Sequence, residues 1–410
     1  MTEQEAKRAF AFIFCTRLID SIGFGIIMPV LPTLLMEVGK MPLAEAARTG
    51  GVLFVTYALL QFLSGPLMGS LSDRFGRRPV IFVSLAAFAI DYAFMALAPS
   101  IAFLFLGRAI AGVAGAVFAP ANAFVADITP PERRARAFGR LGAAFGVGFI
   151  VGPALGGLVS DFGPRAPFLL AAVLAAVNLV FGFFVLPESL PPERRRPISW
   201  VRSNPIGGLM ALGHYKGVLG IILAFFIFQL AFNVYPGTWS YYAEAKFGWD
   251  GKMIGLSLMC SGVFMFLIQF LGTGWIASRL GDVNTAMTAM AISIAGCIAY
   301  AFIPYGWMVF FIQPLVSPQA LVFPTQNAIL SKRVAANEQG ALQGTMGSMI
   351  SLGSVFGPLL LTQTLARFTE PGAPIYFPGA AFLLAAVLMS VGLATLAVAT
   401  QRQRRPVPAE

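Results

Sequence analysis

Twelve stretches of mainly apolar residues, most of them twenty or longer, follow one another along the chain, separated by breaks that hold Pro, Gly and charge. A bilayer hydrocarbon core needs about 20 such residues to be crossed by one helix. The expected spans cover 9–36, 49–72, 79–100, 101–126, 138–160, 166–186, 217–243, 253–278, 284–303, 306–331, 341–366 and 377–400. Composition agrees: 57% of residues are hydrophobic and 11% charged, where a soluble domain carries about 25% charge. Mean hydropathy is +0.78. No compact water-soluble fold hides that much apolar surface, so the expected fold class is an all-α polytopic membrane protein with twelve transmembrane helices.

Only one break is long. It separates an N-terminal six-helix bundle, 1–186, from a C-terminal one, 217–410, and the linker 187–216 carries Pro-Pro-Glu-Arg-Arg-Arg-Pro at 191–197. A weakly amphipathic stretch from Ile198 to Tyr215 reads as a surface helix on the cytoplasmic side. With the N-terminus inside, twenty of the 28 Lys and Arg residues fall in inside segments and six outside; Arg17 and Arg108 are within spans. That bias places both termini in the cytoplasm and the chain in the inner membrane as a multi-pass protein. The two halves also repeat at one offset of 205 residues. Gly69, Gly76, Asn122-Ala123, Gly139 and Gly152-Pro153 recur as Gly274, Gly281, Asn327-Ala328, Gly344 and Gly357-Pro358. The second copy is degraded in charge: Ser278 stands for Asp73, Asp282 for Arg77, and Phe225, Gly296 and Gln313 for Asp20, Asp91 and Arg108.

The net charge of +10 sits in short loops, with no basic face interleaved with aromatics, so nucleic acid is not an expected partner. Cys15, Cys260 and Cys297 lie in apolar runs and offer neither a disulfide framework nor metal-ligand spacing. His214 is the only histidine. No nucleophile, metal or cofactor constellation is legible, so an enzyme is not expected, nor a cofactor. The first apolar run contains Arg17 and Asp20 and does not read as a cleavable signal peptide.

Charge inside the spans is what remains to carry chemistry. An ionised carboxylate at mid-bilayer costs roughly 2.5–3.5 kcal/mol on insertion scales. Asp20 in span 1 and Asp91 in span 3 are therefore read as proton-coupling groups. Arg108 lies in span 4 among Gly107, Gly112 and Gly115, and Asp20 is its natural partner. Arg17, one turn from Asp20, favours the charged carboxylate. At the first cytoplasmic turn, Gly69-Ser-Leu-Ser-Asp73-Arg74-Phe-Gly76-Arg77-Arg78 is a tight basic loop. Gly69 is expected to let a helix end pack closely, Gly76 to permit the turn, and Asp73 to accept helix-start N–H groups, with Arg74, Arg77 and Arg78 in water. Polar or aromatic groups in otherwise apolar spans are the candidate substrate contacts: Tyr57, Gln61, Asn122, Gln229, Asn233, Gln269 and Gln326.

That loop resembles the turn between spans 2 and 3 of the major facilitator superfamily. The longer string from Tyr57 to Val80 resembles the tetracycline/proton antiporters of its drug-exporting branch. Asp20-Ser-Ile-Gly-Phe-Gly-Ile-Ile-Met-Pro through Pro32 and Gln339-Gly-Ala-Leu-Gln-Gly344 are similar to the same group. Gly148, Gly152, Pro153, Gly156 and Gly157 on span 5 resemble its antiporter motif. The resemblance implies two pseudo-symmetric six-helix bundles and alternating access. It implies a gating role for Asp73, Arg77 and Asp127, and export of a small amphipathic compound or drug in exchange for protons. The alternative is a proton-coupled importer or a uniporter of a small metabolite on the same fold. Two departures bear on the cargo: the group's span-8 histidine is matched by Met265, and its span-9 aspartate by Ser293. A neutral or cationic lipophilic compound is thereby favoured, tetracycline-like compounds remaining in range, with the protein acting as a monomer.

Overall fold

The computed structural model describes residues 3–115, 118–197, 218–334 and 339–402. His214, the stretch Ile198–Tyr215 and the last eight residues fall outside them. Among the described residues there are twelve helices long and apolar enough to cross a membrane: Gln4–Gly39, Leu43–Phe75, Arg77–Leu97, Ile101–Ile128, Glu132–Phe162, Ala166–Val185, Leu219–Phe247, Gly251–Gly272, Asp282–Phe302, Met308–Ser331, Leu342–Arg367 and Ala380–Gln401. No strand occurs among the described residues. The apolar runs therefore fix the number of spans and their order. They place the ends less well, because the first and second helices extend beyond their apolar cores through Gln4–Arg8 and Leu43–Arg48.

Span 4 leaves the helix at Gly115, span 5 closes in a 3₁₀ turn at Ser160–Phe162, and three further spans depart from uninterrupted α-helix. Span 7 turns at Asn233, ahead of Pro236 and Gly237, which neither hydropathy nor length reveals. Span 8 ends in a π-turn at Ile268–Gly272, a form that recurs at functional sites. Span 10 tightens to a 3₁₀ stretch at Ser317–Leu321, beside Pro314 and Pro318, which cannot donate to an α ladder.

Two compact units divide the chain. The first comprises Met1–Pro42, Val52–Pro205 and Trp249–Met259. The second comprises Leu43–Gly51, Ile206–Gly248 and Cys260–Glu410. In the first unit, span 5 lies against span 1 on a row of glycines. A Cβ at Gly148 would stand 2.6 Å from the Ser21 Cβ. At Gly152 it would be 2.6 Å from the Ile22 carbonyl oxygen, and at Gly156 2.5 Å from that of Ile26. Gly157 faces another way, 2.9 Å by the same measure from the Gly251 carbonyl oxygen at the start of span 8. Ser21 Oγ donates to the Phe145 carbonyl at 2.7 Å across the same contact. In the second unit the pattern recurs between spans 11 and 7. A Cβ at Gly357 would meet the Leu230 carbonyl oxygen at 2.5 Å, and Asn233 Nδ2 donates to the Gly353 carbonyl at 3.1 Å. Small residues let helix backbones approach closely in lipid, where van der Waals contact must drive association. The repeat at 205 residues is thus a repeat of packing.

Candidate functional site

Asp91 is fully buried on span 3. Arg108 of span 4 donates from Nε to Oδ1 at 3.1 Å, and its Nη2 bonds Oδ2, so the pair is bidentate. Gly107 makes this approach available: a Cβ there would sit 3.0 Å from Asp91 Oδ1. The Arg108 guanidinium also lies over the Tyr57 ring at 5.5 Å, and Gln61 Nε2 donates to the Tyr57 hydroxyl at 2.8 Å. Spans 2, 3 and 4 therefore converge on one ionised pair.

The expectation that Arg108 pairs with Asp20 is corrected here. A bidentate guanidinium holds one carboxylate in a fixed fork, and Asp91, one span away, fills it. Asp20 instead has Arg17 Nη1 4.0 Å from its Oδ2, beyond hydrogen-bond reach. That carboxylate oxygen is buried with no hydrogen-bond partner. Asp20 shares its turn with Ser21, which is seated on the Gly148 contact, so the antiporter-motif glycines form the bed of the turn that carries the acid.

At the turn between spans 2 and 3, Arg77 is the hub. Its Nη1 donates to Asp73 Oδ1 at 2.5 Å and to Ser72 Oγ at 3.2 Å, and its Nε to Asp127 Oδ2 at 3.1 Å. The three members expected of a gating motif are joined. Three details differ from expectation. Only Arg74 is exposed, whereas Arg77 and Arg78 are half-buried, because Arg77 is held by acids and Arg78 donates to the Phe183 carbonyl over the Phe82 ring. A Cβ at Gly69 would meet open space, so close packing does not explain that glycine, unlike Gly76, which has φ +105°. The N–H groups opening span 3 go not to Asp73 but to Glu188, which no motif had singled out.

The candidate substrate contacts divide. Tyr57 and Gln61 belong to the ionised cluster. Asn122 on span 4 and Gln269 in the π-turn are exposed, and Gln229 and Met265 are half-buried. Asn233 is spent on backbone, donating also to the Gln229 carbonyl at 2.7 Å. Gln326 is fully buried, its Nε2 3.4 Å from Met290 Sδ. Tyr92 was missed: its hydroxyl lies where a Cβ on Gly23 would come within 2.3 Å, and a tyrosine next to an aspartate carries no signal of its own in sequence. Among the described residues no group of three or more His, Cys, Asp or Glu is placed to hold a metal ion.

Twelve helices long and apolar enough to cross a membrane, with an arginine–carboxylate pair and a second acid inside them, define a polytopic membrane protein that keeps charge within its spans. The sequence profile of the major facilitator superfamily matches residues 13–358 and 221–409, and the chain belongs to that superfamily. It is 39% identical over 392 residues to the tetracycline resistance protein, class C, of Escherichia coli, covering 96% of this chain and 97% of that one. It is 40% identical over 346 residues to the class G protein of Vibrio anguillarum, covering 84% and 87%. In three dimensions it is similar to a bacterial homologue of the human lysosomal transporter Spinster, with a TM-score of 0.80, 15% identity and full coverage of both chains. Both of these relatives are named for resistance to tetracycline.

Proposed function

We propose that this protein expels a lipophilic, neutral or cationic compound, tetracyclines included, by alternating access, and that Asp20 and Asp91 carry the protons that return. The observation that carries the reading is the unequal pair of acids: Asp91 locked to Arg108, and Asp20 with a buried oxygen that nothing satisfies. Protonating Asp20 breaks no hydrogen bond, whereas protonating Asp91 must first release Arg108. The two acids would then fire in order, Asp20 as the site of entry and Asp91 as the coupling step that frees Arg108 toward the Tyr57–Gln61 side. A proton changes the balance between conformations only through such a difference in interaction. The gradient supplies the energy in place of a cofactor, about 2.3 kcal/mol per charge per 100 mV for its electrical part. In this reading both termini are cytoplasmic, and Arg77, Asp73 and Asp127 latch the cytoplasmic turn.

The test is a proteoliposome assay with an imposed pH gradient and labelled tetracycline. Substrate accumulates on the acidic side in the wild type and fails to do so in the Asp20→Asn, Asp91→Asn double variant. Undiminished accumulation by the double variant removes both acids from the mechanism, and accumulation on the other side makes the protein an importer.

A further inference from the structure

Span 3 starts at Arg77 immediately after Gly76, which offers no side chain to cap it. The first N–H groups of a helix need acceptors. They find one more than a hundred residues away. Glu188 Oε1 accepts the Arg77 N–H at 2.9 Å and the Leu190 N–H at 3.0 Å, and Oε2 accepts the Arg78 N–H at 3.2 Å. Gly76 is what admits the carboxylate: a Cβ there would stand 2.3 Å from Glu188 Oε2. The chain around Glu188 is tied to the same turn twice more. Ser189 Oγ donates to Asp127 Oδ2 at 3.2 Å, the oxygen that also receives Arg77. The Arg196 N–H donates to the Asp73 carbonyl at 3.0 Å.

The geometry points to residues 187–196 as a strap that forms part of the cytoplasmic gate, with Glu188 as the positioning residue that aims Arg77. The backbone N–H of Arg77 is fixed by Glu188 while its guanidinium is divided between Asp73 and Asp127. The acid therefore sets where the hub of the motif stands without touching substrate or proton. A negative charge at the positive end of a helix adds to the hold. The strap also explains why the glycine must be a glycine beyond its backbone angle: the space of a Cβ is occupied by another residue's carboxylate. The chain that follows span 6 is in this way fastened to the turn between spans 2 and 3, and cannot part from it without exposing the start of span 3.

The transport readout rests on the proposed exporter reading; the proteolysis readout does not, so the two can fail separately. In purified full-length protein, Glu188→Ala should make trypsin cut after Arg194 and Arg195 about five-fold faster, the scale of losing one helix cap. Cutting at Arg133 and Arg134 is the internal control and should stay as it is. In proteoliposomes Glu188→Ala should lower kcat with KM held, and Glu188→Gln, which keeps one acceptor oxygen, should recover part of both readouts. Gly76→Ala should do less further damage in the Glu188→Ala background than in the wild type. Wild-type cleavage and kcat in Glu188→Ala overturn the strap. So does an equal cost of Gly76→Ala in both backgrounds, which leaves that glycine with its backbone angle alone.

Discussion

Asp91 and Asp20 are separated by what holds them, and their asparagine variants should part company accordingly. Asp91→Asn leaves the Arg108 guanidinium buried without its counter-charge, a loss of about 3–5 kcal/mol when one partner of a buried pair is removed. It should lower the melting temperature in detergent markedly, together with transport. Asp20→Asn removes a charge whose nearest cation is 4.0 Å away, so it should leave the melting temperature nearly unchanged while abolishing transport against a gradient. Equal destabilisation by both would mean that Asp20 is as firmly paired as Asp91. That two acids and an arginine lie in the spans was legible in the sequence, because charge in an apolar run is conspicuous. Their pairing was not, since Arg108 at mid-span could reach either acid and only the side of the helix on which each stands decides. Farther out, Glu370 accepts from Arg367 Nη1 at 2.9 Å and also pairs with Arg48. Arg367 and then Arg48 hold its carboxyl below the ordinary carboxylate range. A depressed folded value means that the contribution is present above the ordinary pKa and lost as pH falls through the lower one. The melting-temperature difference between wild type and Glu370→Gln should therefore stay constant from neutral pH through mild acid and close only at lower pH.

The helix contacts make a sharper claim about glycine than the motifs did. Gly148, Gly152 and Gly156 each meet span 1 at distances no real Cβ occupies, whereas Gly69, Gly139 and Gly142 face open space. Overpacking a close contact costs about 1–3 kcal/mol, so Gly152→Val should impair both stability and drug efflux in cells, and Gly139→Ala should do neither. Efflux retained by Gly152→Val would show that spans 1 and 5 separate without cost. Spacing of four residues made this row legible in sequence; which glycines are empty depends on the neighbouring helix, and no string of letters contains it. The same holds for the second half of the duplication. Asp282 and Lys332 lie 205 residues after Arg77 and Asp127 and form an ion pair at 2.5 Å, the first pair with its signs exchanged. Position by position the second copy reads as degraded; in space the bond survives. A pair this exposed is worth about 0–1 kcal/mol, so Asp282→Asn should hardly move the melting temperature. Exchanging the two residues should restore any transport that the single variant loses.

At the scale of the whole molecule the duplicated frame carries unlike halves. The first holds the acids and arginines at mid-span. In the second, the positions matching Asp20, Asp91 and Arg108 are Phe225, Gly296 and Gln313, and what lies nearby is aromatic: Tyr235, Trp239, Tyr242, Tyr300 and Phe382 form one cluster of edge-to-face and tilted rings. In the exporter reading proposed above, such a division separates what drives transport from what selects the cargo, because binding at an apolar, hydrogen-bonding surface does not titrate in the range where carboxylates do. Removing the driving groups should then leave selection intact. With Asp20 and Asp91 both changed to Asn, tetracycline exchange between the two sides of a proteoliposome, with no pH gradient, should proceed within about two-fold of wild type, far below the ten-fold change that 1.4 kcal/mol of altered binding would produce. Net uphill transport should be absent and the pH dependence of exchange should flatten. Radiolabelled counterflow measured across pH checks both. Loss of exchange together with uphill transport would place the acids in the substrate's own path, and the division of labour between the halves would fail.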